Sequence, residues 1–183
     1  MYKEVGISSN NVPITLSIWY TERSCPTIVF LPGTMSHPLM YENFLSGLCE
    51  RGFNIIGVHY LSHGKSPKIK MNYTMEDLLY NVYDATTYGM ENYGDNIAVM
   101  GSSQGGILAA MAAGRDTRLK AVFPHNIMLT TLKETMNLTK YPAWTHRFMG
   151  LIQWGFRVGG KLLPNYKVPG DAYLDYNKVF YSE

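Results

Sequence analysis

Cysteine is scarce: Cys25 and Cys49 are the only two. Two thiols build neither a disulfide framework nor a four-ligand zinc site, so no metal centre is expected. A charge excess is missing as well. Sixteen Lys and Arg face fourteen Asp and Glu, a net charge of +2, which gives no basic face for nucleic acid. Every apolar stretch is interrupted by Gly, Lys, Arg or Gln well before the ~18 residues that a membrane span needs. Met1 to Asn10 holds no apolar core of a secretory signal. No internal repeat or low-complexity tract is visible. These absences point to a soluble, reducing, cytoplasmic setting. What is present is an ordinary globular composition, with 46% apolar and 16% charged residues in 183. That is enough for one domain with a real core.

The chain opens with strand-like pieces. Tyr2 to Ile7 alternates weakly. Val12 to Tyr20 places Val12, Ile14, Leu16, Ile18 and Tyr20 on one face, a period of two. Pro13 suits an edge strand or a strand's first residues. Four short apolar runs follow, Thr27–Leu31, Phe53–Val58, Asn96–Met100 and Leu119–Phe123. Such runs read as strands buried on both faces, as in a parallel sheet. Helical spacing lies between them. Pro38 to Arg51 turns Phe44, Leu45 and Leu48 inward and stops at Gly52. Thr74 to Tyr93 opens on Thr74 and Asp77, a capping-box pattern. Gln104 to Gly114 is small and apolar. Strands alternating with helices predict an α/β fold with a mostly parallel sheet preceded by antiparallel strands. The alternation stops after Phe123. The boundaries drawn are a core over 1–125 and a helical segment over 126–183, in which Arg147 to Leu163 forms helices broken at Gly155 or Gly159-Gly160.

One stretch carries chemistry. Gly101-Ser102-Ser103-Gln104-Gly105 follows a predicted buried strand and opens a predicted helix. That is the strand–turn–helix setting of a nucleophile elbow. The turn strains the serine backbone and lifts its hydroxyl clear of the sheet. A Cβ at either flanking glycine would collide with the neighbouring strand or helix. The helix N-terminus behind Ser103 offers free N–H groups, and the Gln104 N–H can donate to an oxyanion. A second element agrees with it. Leu31-Pro32-Gly33-Thr34-Met35 ends the first parallel strand, where a loop supplies the other donor. Thr34 is the candidate there, with Met35 as the fallback.

Three blocks, Leu31 to Met35, His59-Tyr-Leu-Ser-His-Gly-Lys-Ser66 and Gly101 to Gly105, make the chain resemble the α/β-hydrolase superfamily from about Ile28 to Asn126. The middle block is similar to the Asp-x-x-Gly-x-Gly-x-Ser loop of lysophospholipase-, monoacylglycerol-lipase- and serine-aminopeptidase-like members. His59 and Ser62 stand where that loop has Asp and Gly, and Pro32 stands where the first block has His. The resemblance implies a serine hydrolase that needs no cofactor. Ser103 would be its nucleophile, with Thr34 and Gln104 as oxyanion donors. It would act on esters, thioesters or amides, with a carboxylic ester as the first choice. The segment after Asn126 would correspond to a cap, and its Trp144, Phe148, Leu151, Ile152, Trp154 and Phe156 to an acyl or lipid-like pocket or to ordinary cap packing.

The family order is Ser, then Asp or Glu, then His. After Ser103 the histidines are His125 and His146, and Asp171 and Asp175 have no His behind them. Asp116 precedes both histidines but falls at the far end of the elbow helix. The resemblance therefore implies that the last strands, the acid and the base lie beyond Glu183. Two readings of His125 stay open, a packed hydrogen-bonded histidine at a strand end or a pocket residue that substitutes as base. His37 lies near the oxyanion loop and is a further pocket candidate. His59 and His63 read as structural and His146 as surface. A P-loop is excluded, because Gly64-Lys65-Ser66 would need a glycine at His59. The rival from another class is a non-catalytic fragment or binding module of the same fold.

Overall fold

The computed structural model describes residues 1–22, 24–70, 73–127, 141–163 and 166. The chain divides into two compact units, Met1–Ile127 and Met128–Glu183. In the first, β1 (Tyr2–Ser9) and β2 (Val12–Trp19) form a hairpin, followed by β3 (Thr27–Leu31), α1 (Glu42–Glu50), β4 (Asn54–His59), α2 (Met75–Tyr93), β5 (Ile97–Ser102), α3 (Gln104–Ala113) and β6 (Ala121–His125). The sheet order is β1-β2-β4-β3-β5-β6. The β1–β2 and β2–β4 pairs are antiparallel, and the remaining pairs are parallel. This is the α/β architecture that the alternation of patterns predicts. Pro13 is at a strand's start, opposite Ser8, and β2 is interior to the sheet.

The hairpin loop is Asn10-Asn11, with φ of 47° and 64°. A two-residue loop between right-twisted strands needs two left-handed residues, and asparagine tolerates that conformation. A β-branched residue does not. Asn11→Val is expected to lower stability by about 1–2 kcal/mol, read as a lower urea midpoint at unchanged slope.

β3 and β4 are buried along their whole length, as their continuous apolar runs require. Val29, Leu31, Ile56 and Val99 meet Leu78, Leu79 and Val82 of α2 and Leu108 and Ala112 of α3 on one face. On the other face, Ile28, Phe30 and Ile55 meet Leu45 and Cys49 of α1. Thr74 caps α2 through a reciprocal box with Asp77. Gly52, with φ of 90°, follows the end of α1.

Three expectations are corrected. β6 begins two residues later than its pattern suggests, and among the described residues it is a largely exposed outer strand rather than a buried one. Its apolar residues look the same in sequence because apolarity does not say whether a neighbour exists. Phe44, read as inward, is 49% exposed. The helix there starts only at Glu42, after a 3-10 turn over Pro38–Tyr41, and this rotates its buried stripe onto Leu45 and Cys49. In the second unit, α4 (Met149–Leu162) runs unbroken through Gly155, Gly159 and Gly160 after a 3-10 turn over Ala143–Phe148. None of these glycines takes the positive φ that ends a helix. Trp144, Phe148, Leu151, Trp154 and Phe156 are exposed and Ile152 is half-buried, so among the described residues they form no packed layer. Asp171, Asp175 and the side chain of His146 lie outside the described residues.

Candidate active site

The turn between β5 and α3 is set by two close approaches. A Cβ on Gly101 would lie 2.0 Å from the carbonyl oxygen of Gly105. A Cβ on Gly105 would lie 2.0 Å from the carbonyl oxygen of Leu31. Backbone meets backbone at both places, so only glycine fits, and the helix N-terminus is drawn against the end of β3. Ser103, between the two, has φ of 54° and ψ of −116°. This is a sparsely populated region that costs on the order of 1–3 kcal/mol. Its backbone N–H is tied to the carbonyl oxygen of His125 at 2.9 Å.

Ser103 occupies the N-cap position of α3, where a serine hydroxyl ordinarily accepts a helix N–H. Here the strained backbone turns it away, and no side-chain cap bond forms. Among the described residues no base or other partner holds the hydroxyl. Gln104 is the first residue of α3, so its N–H has no carbonyl within the helix to bond. The Gln104 side chain donates to Met75 Sδ at 3.4 Å, which ties α3 to the start of α2.

The loop after β3 lies against this turn. A Cβ on Gly33 would be 3.5 Å from Ser103 Cβ. The Ser36 N–H and the Ser36 hydroxyl both donate to the Gly33 carbonyl, at 3.2 and 2.8 Å. Thr34 and Met35 form the turn that results. Met35 has φ of 60° and is 86% exposed, and the Thr34 side chain is exposed too. The fold therefore brings the Thr34 loop, Ser103 and Gln104 to one place.

His125 is opposite Ser102 in the β5–β6 register. Its side chain is exposed and makes no hydrogen bond among the described residues, so the packed, bonded reading of it is corrected. It lines an apolar cavity of about 630 Å³ with Ser102, Phe30, Phe44, Met100 and Phe123. The cavity opens because α1 is the one described helix of the first unit on this face, and it sits over β4 and β2. Sequence reasoning missed Phe44 and Phe123 as cavity residues, since it had assigned both to packing. His37 is in the loop that leads to α1, and its ring stacks on His59 with centroids 5.8 Å apart.

A family profile for the alpha/beta hydrolase fold matches residues 26–156. The chain belongs to the α/β-hydrolase family. Among solved structures it is similar to the α/β-hydrolase GrgF from Penicillium sp. sh18, at 16% identity and a TM-score of 0.67 over 95% of this chain and 61% of that one. It is similar to an esterase from Pyrococcus furiosus, at 20% identity and 0.62, over 82% of this chain and 59% of that one. It is also similar to the thioesterase domain of the curacin biosynthetic pathway, at 20% identity and 0.62, over 70% and 46%. The chain thus spans about half to three fifths of the length of these structures. No curated protein sequence matches it significantly.

Against the α/β-hydrolase pattern, the departures in the middle block are locally compensated. Ser62 has φ of 60° where the pattern has glycine. Its hydroxyl donates to the Ile69 carbonyl at 3.0 Å and accepts the Ile69 N–H at 3.1 Å. His59 stands in the place of the aspartate and is fully buried. Its Nδ1 accepts the Lys65 N–H at 3.1 Å, so Nε2 carries the proton and donates to Ser17 Oγ at 2.9 Å. From there the bonds run to Tyr2 and Glu4, and Glu4 pairs with Lys65. Burial, and next the neighbouring His37, push the His59 pKa down to about 4. His63 Nδ1 bonds the Leu61 carbonyl oxygen at 2.8 Å. Pro32 is buried, and its carbonyl accepts the Tyr60 hydroxyl at 3.2 Å.

Asp116 is not available as a triad acid. α3 is ten residues long, about 15 Å, and Asp116 follows its far end. Its carboxylate is held by Arg118 at 2.8 and 2.7 Å, which keeps its pKa below the usual carboxylate range. Among the described residues no helix is long and apolar enough to cross a membrane, and no group of three His, Cys, Asp or Glu is placed to hold a metal ion.

Proposed function

We propose that this chain carries the nucleophile and oxyanion hole of a serine hydrolase acting on carboxylic esters, of the lysophospholipase or carboxylesterase kind. The observation that carries the reading is Ser103, a strained N-cap serine whose hydroxyl has no structural use among the described residues. In the first step Ser103 Oγ attacks the ester carbonyl and its proton passes to a histidine base. The carbonyl oxygen becomes an oxyanion between the N–H groups of Thr34 and Gln104. Collapse expels the alcohol, which takes the proton, and leaves an acyl-enzyme. Water then releases the acid by the same route. In the α/β-hydrolase order an Asp or Glu and then a His follow the serine, and that histidine would be the base. The apolar cavity beside Ser102 and His125 supports an acyl or lipid-like substrate. Thioesters and amides share the chemistry and are the nearest alternatives. Cys25 and Cys49 are free thiols, which agrees with a reducing cytoplasmic setting.

A fluorophosphonate probe tests the reading. Ser103 is expected to take the label and Ser103→Ala to lose it. Hydrolysis of p-nitrophenyl butyrate should fall at least about a hundredfold in the variant. Equal rates for the two proteins, with no label on Ser103, would leave the binding-module reading in its place.

A further inference from the structure

A second cleft, of about 660 Å³, opens between the loop after β3 and the loop after β4. Its lining includes Met35, His37, His63, Lys65, Lys68 and Tyr73. No carboxylate of the described residues lines it. Lys65 is paired with Glu4, and Lys68 donates to the Ser62 carbonyl at 2.9 Å. An ammonium has three donors, so each of these keeps two. His37 Nδ1 is buried and has no partner among the described residues. His63 Nδ1 donates to the Leu61 carbonyl oxygen, so its Nε2 is an acceptor, 3.4 Å from the Tyr73 hydroxyl, and adds no donor to the cleft. The cleft therefore gathers two ammonium groups on a lining without a carboxylate, and Glu4, outside that lining, meets one of them.

The reason lies at His59. A carboxylate at that position, accepting the Lys65 N–H, would place a negative charge beneath the cleft. The buried imidazole accepts the same N–H while uncharged, because burial keeps it neutral. The loop stays folded and its lysines lose a compensating charge.

The cleft also adjoins the candidate active site on two sides. Met35 is two residues from Gly33, which abuts Ser103, a reach of at most about 7 Å. Tyr73 is two residues from Met75, which holds the Gln104 side chain.

We propose that this cleft binds a phosphate group, the anionic end of a phosphomonoester or of a phospholipid-derived substrate. The use of the site in catalysis rests on the function proposed above, while the binding itself does not. Inorganic phosphate titrated into the protein, followed by calorimetry and amide chemical shifts, is expected to bind saturably with a Kd of order 1 mM. It should shift residues 35–37 and 62–68. Lys65→Gln combined with Lys68→Gln is expected to weaken binding about tenfold, and His59→Asp to weaken it as well. Ser103→Ala should bind as the parent does, which separates this site from the nucleophile. Glycerol 3-phosphate and phosphatidic acid vesicles, against phosphatidylcholine vesicles, then tell a soluble phosphomonoester from a lipid headgroup. An absence of saturable binding, or binding that the Lys65 and Lys68 changes leave untouched, overturns the proposal.

Discussion

Gly105→Ala is expected to destabilise the protein by about 3 kcal/mol or more. The added methyl would meet the Leu31 carbonyl oxygen at 2.0 Å, the Leu31 carbonyl carbon at 2.6 Å and the Pro32 oxygen at 2.6 Å. Non-bonded carbon and oxygen settle well over 3 Å apart, so a gap of more than about 1 Å must open. Neither side can give by a rotamer change, because both sides are main chain. The helix start would have to leave the end of β3, and with it the Gln104 N–H. For a chain of this size the loss is a fall in Tm of roughly 10 °C. Labelling at Ser103 should drop as well, even at temperatures where the variant is folded. Gly6→Ala is the control. It has no atom within 4 Å of the added carbon and a negative φ, and it should melt with the parent. A Gly105→Ala protein of parental Tm would mean that α3 is not held against β3 as described.

The second large effect is acid sensitivity without loss of a salt bridge. His59 is neutral in the folded protein, with a pKa of about 4, against about 6.5 in an unfolded chain. Between those values the unfolded state binds the extra proton, so stability falls as pH falls. The contribution is complete about one pH unit above 6.5, about 2 kcal/mol of it is gone at pH 5, and about 3 kcal/mol at pH 4. That is a large share of a typical domain's 5–15 kcal/mol. The structural event is definite, because a proton on Nδ1 removes the acceptor of the Lys65 N–H. Urea denaturation at steps of pH from 7.5 to 4 should show this slope, and His59→Gln should flatten it over the same window. A parent protein whose stability is level from pH 6.5 to 4 would contradict a buried neutral His59.

The sheet was legible because its pattern is redundant. Thr27–Leu31 and the run into Val58 are apolar on both faces, and the Thr74–Asp77 pair announces where α2 starts. The elbow was legible for a different reason. Gly101, Ser103 and Gly105 report steric limits that a short string of residues can encode by itself, and both glycine contacts are where that string requires them. What failed depended on neighbours. Whether Phe44 and Phe123 are covered is decided by which helices lie over β5 and β6, and no residue near either position encodes that. The glycines of α4 failed as breakers because a glycine weakens a helix by about 1 kcal/mol but does not end it without a left-handed turn. The second cleft escaped the sequence reading altogether. Its charge depends on a buried histidine in place of a carboxylate, and its two walls are brought together only by the fold.

The bond from the Ser103 amide to the His125 carbonyl gives β6, the outermost strand among the described residues, a grip on the turn that carries Ser103. Among the described residues β6 is joined to the sheet by β5 alone, so its position answers to whatever abuts its other side. Sliding that strand by a single residue would carry the carbonyl away and release the backbone on which the hydroxyl is mounted. The backbone of the turn is thereby mechanically linked to the rim of the sheet. A partner, ligand or neighbouring segment that clamps the rim would shift the Ser103 hydroxyl without touching it.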